Sequence, residues 1–186
     1  MIYFTSDHHF GHKNIIQLCN RPFNSVEEMD EEMIRRWNET VKPEDFVYYL
    51  GDFSLSIKPV KEYVKRLNGK KILIAGNHDR CHQFQKNNLK YKYEYREMGF
   101  YDVYDCDVTH FSEDLTADLS HFPYDNGDDV RYFKLFPRDD GRWLLHGHVH
   151  NKWRVKDKMI NVGVDVWDFY PVSLDKILEI MRGANK

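Results

Sequence analysis

Residues 71–80 read KILIAGNHDR. The segment 72–75 is short and apolar, the pattern of a buried strand. Gly76 then admits a tight turn. An amide, an imidazole and a carboxylate follow side by side at Asn77, His78 and Asp79. Two explanations stand open for such a cluster where a core strand ends. Either these residues cap the next helix, or the turn holds something charged.

The flanking sequence supplies the frame. Residues 2–5 read as an opening strand. Ser25 and Glu28 form a capping box, and Val26, Met29, Met33 and Trp37 recur at helical spacing, so a helix is expected through about residue 39. Residues 46–50 (FVYYL) read as a buried strand that ends at Gly51-Asp52. Val60, Tyr63, Val64 and Leu67 share one helical face, and Gly69 is a good stop. This alternation predicts parallel strand pairing and an α/β class. Residues 81–99 are expected to be helical. Strands are expected at 102–111, 116–121, 143–145 and 159–164, with a closing helix at 173–181. The strand-rich second half predicts a second or mixed sheet.

Composition bounds the function. The 186 residues suit a single domain, residues 1–186, with a core that needs no staples. A formal net charge of −3 argues against a broad basic surface for duplex nucleic acid. Cys19, Cys81 and Cys106 form no CxxC pair, which fits reduced thiols in a cytoplasmic protein. The start, MIYFTSD, shows no basic-then-apolar leader, and no apolar run approaches membrane-spanning length. The expectation is a cytoplasmic monomer or homodimer with no membrane partner.

The strand ends carry the chemistry. After the first strand comes Ser6-Asp7-His8-His9, and after the second Gly51-Asp52. After the third comes Gly76-Asn77-His78-Asp79. Ser120-His121 and His146-Gly147-His148-Val149-His150 follow two later strands. Ligand sites of open α/β sheets lie beyond the carboxyl ends of the strands. An Asp or Asn there commonly caps a turn, and a lone histidine is commonly a surface or core residue. A cap does not require His9, His121, His148 and His150 as well. In an extended segment, residues two apart share a face, which would align Asp7 with His9 and His148 with His150. Two carboxylates, four imidazoles and one amide are too many for one catalytic zinc and suit two divalent metals.

The order Asp7-x-His9, Gly51-Asp52, Gly76-Asn77-His78-Asp79, His121, Gly147-His148-x-His150 resembles the calcineurin-like metallophosphoesterases. SDHHFGHKNII followed by NRPF is similar to a small prokaryotic and phage-type branch. The resemblance implies an α/β sandwich of two mainly mixed β-sheets flanked by helices (α/β/β/α). It implies one metal on Asp7, His9, Asp52 and His150, and another on Asp52, Asn77, His121 and His148, with Asp52 bridging. His78 would face the substrate phosphate and Asp79 would orient it. Phe10 stands where many members have glycine, and the adjacent His8 is a rival to His9, which is preferred because its spacing from Asp7 puts both side chains on one face.

Two divalent cations outweigh two carboxylates and a bridging hydroxide, so an acidic protein can still offer an anion-attracting pocket. The expected reaction is direct hydrolysis of a phosphoester by that hydroxide, with a small or nucleotide-like diester favoured. A phosphomonoesterase, a dinucleoside polyphosphate hydrolase and a non-catalytic metal-dependent scaffold are the alternatives. His12, Arg21 and Arg80 are the candidate substrate contacts. Manganese is the favoured metal, with iron, zinc, nickel and magnesium compatible with the same donors.

Overall fold

A computed structural model describes residues 1–112, 115–124 and 136–184. Four strands, β1 (Ile2–Thr5), β2 (Phe46–Tyr49), β3 (Lys70–Ile74) and β4 (Asp102–Tyr104), run parallel in that order. Helices fill the connections between them: α1 (Lys13–Leu18), α2 (Val26–Thr40), α3 (Ile57–Tyr63) and α4 (Asn88–Met98). A second sheet takes the order β5 (Asp107–Ser112), β6 (Leu115–Leu119), β7 (Trp143–His146), β9 (Met159–Asn161), β8 (Val155–Lys156). Within it β6, β7 and β9 are mutually parallel. The short β10 (Val172–Ser173) pairs antiparallel with β1, and α5 (Leu174–Gly183) closes the chain. Both sheets are thus mixed and helices flank them, as the resemblance implied.

Strand alternation builds two cores. Tyr3, Val47, Tyr49 and Leu73 face the helical layer and join Met29, Met33 and Trp37 of α2 in one apolar cluster. Phe4, Leu50 and Ile74 face the other way. They pack with Leu119, Leu145 and Ile160 of the second sheet and with Ile177 and Met181 of α5. A parallel bridge, Ser6 to Gly163, links the two sheets just beyond β1. The four parallel strands of the first sheet and the three of the second therefore deliver their carboxyl ends toward one seam.

Helix α2 forms for the expected reason. The Ser25 hydroxyl accepts from the Glu28 amide at 3.1 Å, and the Glu28 carboxylate accepts from Asn24 N at 2.8 Å. Two expectations need correction. The strand expected at 102–111 is two strands in different sheets. They break at Asp105-Cys106, where Asp105 is drawn off to Lys92 and the Gln83 amide. The helix expected at 81–99 starts only at Asn88, because 77–87 form a series of tight turns, beginning with Asp79 N–H to the Gly76 carbonyl at 3.1 Å. Neither the six-residue α1 nor the two-residue β8 and β10 was expected.

Trp37 is fully buried and its indole N–H donates to the Asn68 carbonyl at 3.0 Å. Trp37→Ala is expected to lower unfolding stability by about 3–5 kcal/mol, measured by urea denaturation followed by far-UV circular dichroism.

Candidate metal centre

The strand exits turn abruptly. Asp7, His9, Asp52, His148 and His150 all have positive φ, between 50° and 68°. This left-handed backbone is strained for side-chain-bearing residues, by an amount of about 1 kcal/mol or more each, and Asp and His tolerate it better than most. Extended alternation is therefore not what aims these side chains. Left-handed kinks at Asp7 and His9, one on each side of His8, send His8 and His9 to opposite sides. His8 is buried in the aromatic core, shares a 2.7 Å hydrogen bond with the Tyr49 hydroxyl and stacks on Phe10. His9 enters the seam, its ring 5.1 Å from that of His150 and 5.4 Å from that of His78. His148 and His150 diverge as well, since the His148 ring lies 5.2 Å from His121 instead.

Asp52 occupies the middle. Its Oδ2 is 3.6 Å from His9 Nε2 and 3.4 Å from His121 Nε2. Donor atoms of Asp7, His9 and His150 all lie within 4.8 Å of one another, and so do those of Asp7, Asp52 and His121. His121 is oriented by its other nitrogen. Nδ1–H donates to the Leu50 carbonyl at 2.8 Å, which turns Nε2 toward Asp52 and toward Asn77 Oδ1 at 3.0 Å.

Two glycines make room for the carboxylates. A Cβ on Gly76 would fall 2.3 Å from Asp52 Oδ1, and one on Gly147 would fall 2.3 Å from Asp7 Oδ2. The Asp7 Oδ2 also accepts from Ser6 Oγ at 2.6 Å and from His148 N–H at 3.0 Å. Its Oδ1 and both His9 ring nitrogens are buried without a protein hydrogen-bond partner. Buried polar atoms left so are costly unless something absent from the protein itself satisfies them. A cation answers this donor set of carboxylates, imidazoles and an amide oxygen.

The electrostatics agree. Burial opposes charge on Asp52, yet His121 and His9 outweigh it and hold the carboxyl well below its usual range. At Asp7 burial wins and the pKa rises. Burial should suppress protonation of His121 and His150 too. Asp52 nevertheless lifts His121 to about 9, and Asp165 lifts His150 to about 11. His9, by contrast, is held well below its usual range because burial outweighs the Asp52 carboxylate beside it, so the negative potential is expressed at His121 and His150.

Asp165 escaped the sequence reading. It lies in a 3₁₀ turn after β9, Val164–Val166, and accepts from His150 Nδ1 at 3.2 Å. The signal was present, because Asp165 follows a strand exit just as Asp7 and Asp52 do. Arg21, expected at the substrate, is fully buried by its side chain. It pairs with Asp165 at 2.7 Å and donates to the Asp7 and His8 carbonyls at 2.7 and 2.8 Å. Its guanidinium is thus a brace beneath the Asp7–His9 turn. Asp79 is likewise not directed at His78. Its carboxylate accepts from Asp52 N and Gly76 N, both at 2.8 Å, and from Phe53 N at 3.2 Å. His78 stands at the rim, its side chain 43% exposed, with its amide donating to Asp52 Oδ1 at 2.9 Å. His12 flanks His9 at 5.5 Å, and Arg80 is exposed.

Asp165→Asn should weaken Mn²⁺ binding by about 10–100-fold, since an outer carboxylate fixes the histidine tautomer and orientation. Calorimetric titration of the metal-free protein measures this, and unchanged affinity would remove Asp165 from the site.

The comparisons with known proteins follow the same lines. A protein of unknown function from Aquifex aeolicus has a crystal structure that superposes with a TM-score of 0.71 at 29% identity, covering 97% of this chain and 98% of that one. An uncharacterised protein of Methanocaldococcus jannaschii is 37% identical, over 97% of this chain and 91% of its own length. The gene 66 protein of Mycobacterium phage L5 is 33% identical over 97% and 93%. The family model for calcineurin-like phosphoesterases matches residues 1–152, which include every expected ligand from Asp7 to His150. A buried cluster of carboxylates and imidazoles at converging strand ends is what such a phosphoester hydrolase uses to gather divalent metals, and the chain belongs to the calcineurin-like phosphoesterase family.

Proposed function

We propose that this protein is a dinuclear, metal-dependent phosphodiesterase acting on a small or nucleotide-like diester, and that its whole length forms one cytoplasmic catalytic unit. The observation that carries the reading is the Asp52 carboxylate, one oxygen of which lies within 3.6 Å of both His9 and His121. A carboxylate so placed would suit a ligand shared between two ions. Asp7, His9 and His150 would complete one set, and Asn77, His121 and His148 the other. Two divalent ions, when bound, supply Lewis acidity and a water acidic enough to attack phosphorus near neutral pH.

The protein's own groups then act around that centre. Asp79 holds the Asp52 and Gly76 amides, so the two loops that carry Asp52 and Asn77 keep one spacing. Arg21 holds the carbonyls of Asp7 and His8. His78, at the rim and next to His9, faces the substrate phosphoryl group and stabilises charge on it or on the leaving oxygen. A diester suits the rim better than a monoester does. The Arg21 cation is consumed inside, and burial, with the nearby His78 and Arg21, holds the His12 pKa down. A singly charged phosphoryl group therefore needs less of the rim than a dianion would.

Mn²⁺-loaded protein should hydrolyse bis(p-nitrophenyl) phosphate with a higher kcat/KM than p-nitrophenyl phosphate, and a chelator should abolish both activities. A monoester preference would overturn the diester reading, and no hydrolysis of either would favour a binding scaffold. His78→Ala should lower kcat by roughly 10²–10⁴-fold while metal content by elemental analysis stays at two ions. In ¹⁸O-labelled water, a single turnover should place the label in the phosphoryl product.

A further inference from the structure

Helix α4 turns apolar surface to solvent. Its Tyr95 and Met98 are buried, while Leu89 and Tyr93 stand 76% and 64% exposed. At about 3.6 residues per turn, Leu89, Tyr93 and Glu97 follow one another along the outer face. Lys90 and Glu97, two turns apart, share one edge of that stripe.

The charges on this face run against the helix. Lys90 lies in the first turn, where the helix dipole is already positive, and Glu97 in the last, where it is negative. The other two cations of α4 are satisfied nearby, Lys92 on Asp105 and Arg96 on Asp102. Lys90 reaches Glu94 at 3.4 Å with its side chain still 71% exposed. Glu97 shares a groove with Lys61 and Lys65, yet among the described residues it has no ion-pair partner.

We propose that the outer face of α4 is a two-fold interface between two copies of this chain. Tyr93 lies close to the midpoint between Lys90 and Glu97. An antiparallel second copy, related by an axis near Tyr93, therefore sets each Lys90 opposite the Glu97 of the other copy. The two Tyr93 rings meet at the axis, and each Leu89 is covered beside them. Antiparallel packing also opposes the two helix dipoles. A membrane or nucleic-acid surface would call for cations along the whole face. This face carries a cation at one end and an anion at the other, which is self-complementary. One helix face is small beside the roughly 800 Å² per partner of a standard interface, so the dimer is weak and forms as concentration rises.

Sedimentation velocity of the whole Mn²⁺-loaded chain, over a roughly hundredfold range of concentration, should show a monomer–dimer equilibrium that added salt weakens. Lys90→Glu and Glu97→Lys, each alone, set two pairs of like charges across the axis and should weaken the dimer about tenfold. The double variant exchanges the signs and should return to within about threefold of the parent. Leu89→Ser should weaken the dimer about tenfold without touching a charge. A monomer at every concentration, association that proceeds beyond a dimer, indifference to the single changes, or no recovery in the double variant overturns the interface.

Discussion

A buried carboxylate between two buried imidazoles is the constraint on which the rest of this structure turns. Asp52 is 1% exposed, with His9 Nε2 and His121 Nε2 on either side of one oxygen. His9 belongs to the first sheet's opening loop and His121 to the exit of a strand in the second sheet. Asp52 therefore helps tie together two halves of the chain that also meet through apolar packing, the Ser6–Gly163 bridge and the Arg21–Asp165 ion pair. The surroundings serve its placement. Its amide is held by Asp79, its other oxygen takes the His78 amide, and Gly76 leaves the space it fills.

The same constraint explains the strained backbone. Strands of a parallel sheet end at about the same level, and their next residues would run on past the seam. Left-handed turns at Asp7, His9, Asp52, His148 and His150 redirect five side chains inward within one residue of backbone. Such conformations persist where surrounding contacts over-determine them. Here the hydrogen bonds of Asp7 N to the Gly51 carbonyl and of His9 N to the Asp52 carbonyl, at 3.0 and 3.2 Å, lace two of the kinked loops together. Membership of the calcineurin-like family explains why such a centre exists, and the chain's own outer groups, Arg21 and Asp165, show how this member steadies it. Fold alone does not choose a substrate.

Much of the architecture was legible because it rests on local patterning. Met29, Met33 and Trp37 at helical spacing marked α2, and the apolar runs at 46–50 and 72–75 marked β2 and β3 within two residues. The candidate donors were legible because Asp, His and Asn recur where those runs stop. What local pattern could not carry was direction. Asp102 and Asp107 sit on one β-prone run, yet they belong to different sheets, since the break at Asp105 depends on Lys92 from α4. His8 and His9 are adjacent and chemically equal in sequence, and a backbone dihedral assigned one to Tyr49 and the other to the seam.

By itself, the sequence determined which residue types stand at the strand ends, and with them a chemistry of divalent cations. Only the tertiary structure decided the jobs of Arg21, Asp79 and Asp165. A guanidinium or carboxylate one or two residues from a motif looks the same whether it meets substrate or braces a loop. The difference is burial and partnership across 144 residues of chain, as between Arg21 and Asp165, and no local rule encodes that distance.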